Sequence, residues 1–223
     1  MQVGNARYNK ASDFPAVVPV FPLAGALLLP GNRLPLNIFE PRYLEMIDMA
    51  VGGGRLIGMI QPDLHGRMRD DDEPELCQVG CLARLTSFSE TGDGRYVIAL
   101  DGVCRFRVVS EVDGKAPFRR CKITPFLADL DDDPSAEQVN RTGLLKTLRD
   151  FLEANELQAD WDGIARAGNA SLVNALSMMS PYGPAEKQAL LEAPDLKVRA
   201  ETLIAITEMA LAKDNDGFAG SLQ

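Results

Sequence analysis

The stretch FPLAGALLLPGNRLPLNIFEPRYLEMI, residues 21–47, decides what kind of molecule this is. It overlaps a run from Phe14 to Gly31 that carries no charge, with Arg7 and Lys10 just upstream. A secretion signal, a membrane anchor and the first strands of a globular domain are three interpretations of such a run. Proline opposes a membrane helix, because it removes a backbone donor and clashes with the preceding turn. The run contains Pro15, Pro19, Pro22 and Pro30.

A signal peptide is also disfavoured, since its apolar core would contain interior prolines and apolar residues continue past the expected cleavage point. The runs AVVPVFPL and GALLLP instead predict short strands, and Pro30–Asn32 predicts a turn before a third strand, LPLNIF. We expect the apolar side chains of this region to be mostly buried. They are Val20, Leu23, Leu27, Leu29, Leu34 and Ile38.

Composition indicates a globular protein of ordinary type. The 223 residues are 46% hydrophobic, and 23 basic against 32 acidic residues give a net charge of −9. This length suffices for one large domain or two small ones. A negative charge of this size repels phosphate backbones, so nucleic acid is a disfavoured partner unless a local basic patch exists.

Four cysteines, at positions 77, 81, 104 and 121, are too few for a disulfide scaffold of this size. A zinc site would require all four, because the single histidine, His65, lies in a polar loop and paired C-x2-C motifs are missing. We therefore expect buried free thiols, no metal and no cofactor. Free thiols suit a reducing compartment, and we expect a cytoplasmic protein that is not attached to a membrane.

Strand signals dominate the first half of the chain. EPRYLEMIDMAVGGG predicts a helix that begins near Pro41 and is stopped by the glycines at 52–54. The strand RLIGMIQP, the alternating CQVGCLARLTSF, two strands around Asp101-Gly102 and FRRCKITPFL follow. SETGDGR predicts a hairpin turn.

Helical signals dominate after ADLDDDPSAEQ, where Asp133 and Pro134 predict a helix start. The alternating aspartates there have EF-hand spacing, but proline replaces the required glycine, so a linker and cap are favoured over calcium. NASLVNALSMMS, AEKQALLEA and LKVRAETLIAITEMALAK predict three further helices. The fold class is α+β, with a β-rich subdomain over 14–127, a helical bundle over 134–212 and a flexible tail over 213–223.

Catalytic motifs are missing from the sequence. There is no phosphate-binding G-x-x-x-x-G-K-[ST], no G-x-S-x-G and no H-E-x-x-H. One loop histidine leaves no evident general base for a serine or cysteine nucleophile. We predict a protein that is not an enzyme.

The order of motifs resembles the N-terminal, substrate-binding domain of Lon protease. The resemblance rests on VFPLAGALLLPGNRLPLNIFEPRYLEMI, IGMIQPD, VGCLARLTSFSETGDGRYVIALDGVCRFRVV and LVNALSMMSPYGPAEKQALLEAPDLKVRAETLI, and spans about residues 14 to 212. It implies a PUA-like β pseudo-barrel followed by a small helical bundle. It also implies binding of unfolded or tagged polypeptides without catalysis. Because only a short tail follows residue 212, we expect a stand-alone form without ATPase and protease domains.

The residues most suited to peptide binding combine aromatic and methionine side chains. Rigid aromatic area is expected from Phe39 and Tyr43, and adaptable apolar area from Met178, Met179 and Tyr182, with a cleft between barrel and bundle as the expected site. In the same motif, Glu40 is expected to cap the helix and Arg42 to pair with a strand carboxylate such as Asp101. These residues also have ordinary structural roles, as core or as ion pairs.

The leading hypothesis is a non-catalytic module for unfolded or extended polypeptide segments, acting as an adaptor in protein quality control with an ATP-dependent protease as partner. One alternative is an RNA-binding PUA-like protein that uses the polar-face arginines Arg84, Arg105 and Arg107. Another is an uncharacterised hydrolase.

Overall fold

A computed structural model describes the backbone of residues 1–220 and the side chains of residues 1–213. The chain forms two compact units. The first unit contains Met1–Asp132 and Tyr182–Leu191, and the second contains Asp133–Pro181 and the chain from Glu192 onward. Strands lie in the first unit and most helices in the second, which confirms the α+β class. The predicted limits 14–127 and 134–212 differ from these units chiefly because residues 182–191 join the β-rich unit.

Eight strands lie in the first unit. They are β1 (Gln2–Val3), β2 (Ala6–Arg7), β3 (Val17–Pro22), β4 (Arg33–Ile38), β5 (Leu56–Ile60), β6 (Val79–Glu90), β7 (Tyr96–Glu111) and β8 (Arg120–Pro125). β1 and β2 form a small hairpin that the sequence patterns did not predict. The expected second strand, GALLLP, is not a strand, although Leu27, Leu28 and Leu29 are all buried.

The other six strands form one sheet in the order β4-β7-β6-β5-β3-β8. The second half of β7 also pairs with β8, so β7, β6, β5, β3 and β8 close into a barrel. β3 and β5 are parallel, and the other pairs in the sheet are antiparallel. The two strands expected around Asp101-Gly102 are a single strand of 16 residues. The first half of β7 pairs with β4, and its second half belongs to the barrel.

The barrel interior holds Phe106, which is fully buried. Its ring lies against Gly58 and Gly80. A Cβ at Gly80 would collide with the ring at 2.5 Å, and one at Gly58 would press on it at 3.0 Å. At Gly102 a side chain would collide with the carbonyl of Leu29. Gly102 also exchanges backbone hydrogen bonds with the turn at Gly31 and Asn32, which ties the LLLP segment to β7. Of the six residues expected to be buried, Leu23 and Leu34 are half-buried and the other four are buried.

Six α-helices are described. They are α1 (Pro41–Gly52), α2 (Arg141–Ala154), α3 (Trp161–Arg166), α4 (Asn169–Met179), α5 (Pro184–Glu192) and α6 (Leu196–Gly220). α1 begins at Pro41 and ends at the glycines, as predicted. α3 was not predicted. The predicted tail over 213–223 overlaps the end of α6, and residues 221–223 lie outside the described residues.

In the second unit, Asp133 caps two segments at once. Its carboxylate accepts hydrogen bonds from the backbone N–H of Ser135 and of Leu196, both at 2.8 Å. The first turn at Pro134–Gln138 is a 3₁₀ turn, and α2 begins later with Asn140 as its cap. Burial opposes ionisation of Asp133, but these bonds and the nearby Arg199 outweigh it and lower the pKa of the carboxyl. The linker-and-cap interpretation of the aspartates is therefore confirmed for Asp133.

Candidate functional site

Three strand segments extend beyond the barrel and form what we call the arm. The arm consists of β4, residues 96–101 of β7 and residues 85–90 of β6. α1 contributes Tyr43, Met46, Ile47 and Ala50 to the core of the same unit. The hairpin predicted from SETGDGR joins the two longer strands of the arm at its tip.

The arm has two open edges. Within residues 1–220, β4 pairs only with β7, so its other side is open, but Pro35 lies in its middle. β5 covers the outer side of β6 only along residues 81–84, and one further bond joins the Leu85 N–H to the Arg55 carbonyl at 2.8 Å. Among the described residues, no strand pairs with the outer side of β6 from Ser87 to Glu90. An open edge presents unpaired backbone groups to any extended chain that approaches it.

Exposed apolar side chains lie near the tip of the arm, with Val97 and Phe88 on opposite faces of the sheet. Phe39 follows the end of β4 and is 62% exposed, and Val97 on β7 is 44% exposed. Phe88 on β6 is 37% exposed, and its ring meets that of Tyr96 edge-on at 4.8 Å. The hydroxyl of Tyr96 donates to Asp48 on α1 at 3.0 Å. The sequence analysis named Phe39 but missed Phe88 and Val97, for which the signal was a lone phenylalanine among serines in TSFSE.

Tyr43 is not a surface residue. It is 5% exposed, its ring packs on Phe21 at 4.2 Å, and the Arg42 guanidinium lies 4.7 Å from its centre. Burial and neighbouring carboxylates raise the pKa of the Tyr43 hydroxyl, although Arg42 acts in the opposite direction. Tyr43 belongs to the core beside Phe39, and it cannot itself offer free aromatic area in this structure.

Met179, Met178 and Tyr182 differ in exposure. Met179 is 80% exposed at the end of α4, whereas Met178 and Tyr182 are half-buried. The methionines belong to the second unit, and Tyr182 lies with Phe39 in the first. Of the five predicted binding residues, Phe39 and Met179 present the largest exposed fractions. Binding by these residues stays a prediction.

Ion pairs correct two expectations. Arg42 pairs with Glu40 and Glu73, both at 3.1 Å, and not with Asp101. Asp101 instead binds Arg33 at 2.7 Å, and this bond lowers the pKa of the Asp101 carboxyl. Glu40 occupies the N-cap position of α1 without a side-chain capping bond, because its carboxylate is engaged by Arg42.

The three arginines of the RNA alternative do not form an exposed patch. Arg105 is 6% exposed and binds Asp129 through both ends of its guanidinium, so the expectation that it lies on a polar, accessible strand face is wrong. Arg84 is half-buried and donates to the Tyr8 hydroxyl and the Gly54 carbonyl. Only Arg107 is exposed.

All four cysteines are buried free thiols, as predicted. Burial raises the pKa of Cys104 and of Cys121 to about 12, so both are protonated and poor nucleophiles at neutral pH. Within the part of the chain whose side chains are described, no three His, Cys, Asp or Glu residues are grouped as a metal site would require. In residues 1–220, no helix combines the length and apolar character needed to cross a bilayer.

A small cavity of about 290 Å³ lies at the ends of the parallel strands β3 and β5, beside the start of α5. Its lining includes Ala24, Leu64 and Pro184. Gln61 borders it, and its amide accepts from Gly25 and donates to the Pro184 carbonyl and the Gln188 side chain. These bonds connect α5 to the barrel and occupy both N–H donors of the Gln61 amide.

Comparisons with known proteins identify the family. The model of the ATP-dependent protease La (LON) substrate-binding domain matches residues 17–208. The chain is 32% identical over 200 residues to Lon protease 2 of Sorangium cellulosum and 28% identical over 209 residues to Lon protease 2 of Myxococcus xanthus. These matches cover 85% and 87% of this chain but 24% of each relative, so the chain spans about a quarter of their length.

Two solved structures share the fold. The N-terminal domain of Mycobacterium avium complex Lon protease superposes with a TM-score of 0.64 at 19% identity, covering 86% of this chain and 98% of that one. A Lon N-terminal domain protein from Xanthomonas campestris gives 0.60 at 24% identity, covering 85% and 97%. They confirm the expected pseudo-barrel with helices, and the family match confirms the resemblance. The chain therefore belongs to the family of the Lon protease substrate-binding domain.

Proposed function

We propose that this protein binds extended or unfolded polypeptide segments and catalyses no reaction. The observation that carries the proposal is the group of exposed apolar side chains at the tip of the arm, Phe39, Val97 and Phe88. Val97 and Phe88 lie on opposite faces of the arm, so both faces offer exposed apolar area, and exposed apolar area is typical of interaction sites. It lies on a domain whose family is named for substrate binding.

Met179 supplies a second exposed apolar side chain, on the other unit. Methionine adapts to differently shaped partners, which suits a site of weak sequence preference. We expect affinities of about 1 μM, or on the order of −8 kcal/mol, because a disordered partner loses entropy on binding. The protein would serve as an adaptor that presents such clients to an ATP-dependent protease. The buried free thiols support a reducing compartment such as the cytoplasm.

The test measures binding of a permanently unfolded model protein and of a short RNA at low and high salt. We expect polypeptide binding that persists at high salt, since apolar contacts are not screened. Phe39→Asp should weaken it, and Met179→Asp combined with Tyr182→Ala should weaken it further. Leu157→Asp is the matched control, because Leu157 is similarly exposed, at 55%, but lies elsewhere.

A result in which only RNA binds, and does so in a strongly salt-sensitive manner, would replace this proposal with the nucleic-acid alternative. Equal loss of polypeptide binding in Phe39→Asp and Leu157→Asp would also count against the assigned surface. Hydrolysis of casein or ATP by the purified protein would contradict the non-catalytic role.

A further inference from the structure

The outer edge of β6 lacks the residues that protect the open edge of β4 against pairing with another strand. Proteins commonly block open edges with proline, positive charge or a bulge. β4 carries Pro35 and Arg33, whereas residues 87–90 of β6 have the sequence SFSE, without proline or basic residues. The last irregularity of β6 lies between Leu85 and Ser87.

The strand register shows which backbone groups of β6 face outward. Gly102 donates to Asn32 at 2.8 Å, so even-numbered residues of β7 are directed toward β4. Hydrogen-bonded and non-hydrogen-bonded pairs alternate along an antiparallel ladder. Ala99 is therefore directed toward its partner Ser87, and Val97 toward Ser89. The same alternation directs the N–H and C=O of Phe88 and of Glu90 away from β7, to the open side.

No strand of residues 1–220 pairs with this side of β6 at the place where a further strand would continue the line of β5. Arg55 makes the last backbone contact with β6, at Leu85. The exposed glycines at 52–54 connect the end of α1 to Arg55 and have no side chains to obstruct an added strand.

Exposed carboxylates lie toward the Phe88–Glu90 end of this edge, whereas the exposed Arg55 lies at its other end, beside Leu85. Asp48 and Glu90 are both exposed, and within the described side chains neither forms an ion pair with lysine or arginine. Their effect is visible at Tyr96, whose pKa is raised by the hydrogen bond to Asp48, by burial and by the charges of Asp48 and Glu90. Arg95, the nearest cation in the sequence, pairs with Asp93 at 3.5 Å.

We infer that an extended client segment binds by adding a strand to the outer edge of β6, with an apolar side chain on Phe88 and a basic side chain beside Glu90 and Asp48. Main-chain bonds to Phe88 and Glu90 supply affinity that does not depend on sequence. The cross-strand neighbour of Phe88 extends the ring contact with Tyr96, and the carboxylates select lysine or arginine. This inference rests on the proposed function and specifies its substrate class, extended segments in which an apolar residue and a basic residue are two positions apart and so share a face.

The test uses two short peptides together with the unfolded model protein. One peptide repeats Leu-Ser-Lys-Ser, which places leucine and lysine on the same face of a strand, and the other has glutamate in place of each lysine. The lysine peptide should bind about tenfold more tightly than the glutamate peptide at low salt, and the difference should shrink as salt screens it. Glu90→Pro removes an outward donor and should weaken binding of all probes by about tenfold or more. Glu90→Gln should weaken only the preference for lysine.

Asn37→Pro is the matched control, because residue 37 occupies the outward-facing position of the β4 edge and is also exposed. It should leave affinity unchanged. Hydrogen exchange provides a measurement that needs no variant, since the amides of Phe88 and Glu90 should become protected when the wild-type protein binds the lysine peptide.

Three results would overturn the inference while leaving polypeptide binding intact. They are equal binding by Glu90→Pro and wild type, equal weakening by Glu90→Pro and Asn37→Pro, and unprotected Phe88 and Glu90 amides in the complex. A wild-type protein that binds neither the peptides nor the unfolded protein would overturn the proposed function as well.

Discussion

Replacing Asp129 with alanine should destabilise the β-rich unit more than any surface change. The Asp129 carboxylate accepts from Nε and Nη2 of Arg105 at 2.9 and 2.8 Å and from the Arg105 backbone N–H at 2.8 Å. The side chains of the pair are only 7% and 10% exposed. Asp129→Ala leaves a buried guanidinium with its remaining contacts, among them the Leu191 carbonyl and the Phe126 ring.

The expected loss in the free energy of unfolding follows from this geometry. Hydrogen bonds to charged groups contribute about 1.5–3 kcal/mol each, and removing one partner of a buried ion pair costs about 3–5 kcal/mol. We therefore expect the free energy of unfolding to fall by about 3–5 kcal/mol in Asp129→Ala. The double variant Arg105→Met, Asp129→Leu should recover most of this loss, because it leaves no buried charge unpaired.

Urea denaturation followed by circular dichroism measures these differences as shifts in midpoint. Asp93→Ala is the control, since Asp93 and Arg95 are 58% and 56% exposed and solvent screens such a pair. The reasoning is refuted if Asp129→Ala costs no more than this control. It is also refuted if the double variant is less stable than Asp129→Ala.

Three further predictions concern the buried core and its titration. Leu29→Asp buries an unpaired charge and should unfold the β-rich unit, whereas Leu64→Asp, at a site that is 40% exposed, should fold. Circular dichroism compares the two variants, and a folded Leu29→Asp protein would contradict the burial of Leu29. Cys104 and Cys121 should resist alkylation at pH 8 until the protein is unfolded, as mass spectrometry would show; labelling of the native protein contradicts the raised pKa values. The Asp133 carboxyl has a lowered pKa, so its contribution to stability is present above about pH 4 and is lost as the pH falls below that value. Asp133→Asn should flatten the plot of thermal midpoint against pH in this range, and an unchanged plot would refute the capping role.

Proline and glycine residues at the ends of helices and strands made much of the β-rich unit predictable. Pro41 and the glycines at 52–54 mark the ends of α1, and the glycine-rich turn marks the β6–β7 hairpin. Such signals act within a few residues of the chain, so sequence patterns record them. The same holds for the Asp133 cap, although the helix it was expected to begin is a 3₁₀ turn.

Features that depend on distant contacts were not predictable in this way. Leu27–Leu29 look like a strand, but the Leu29 carbonyl lies against Gly102, which is far away in the sequence. Arg105 lies between apolar residues in β7, a pattern typical of a side chain on the solvent face of a sheet. Its partner Asp129 is distant in sequence and is brought to it by the fold. The open edge at Phe88 arises because β5 ends its pairing with β6 early, which no residue of β6 itself reveals.

The most direct measurement of the central claim is a titration of this protein with one polypeptide in two states, a model protein held permanently unfolded and its native folded form. The account predicts binding of the unfolded form with a dissociation constant of about 1 μM that persists at high salt, and no binding of the folded form. Failure to bind the unfolded chain, or equal binding of both forms, would contradict the account.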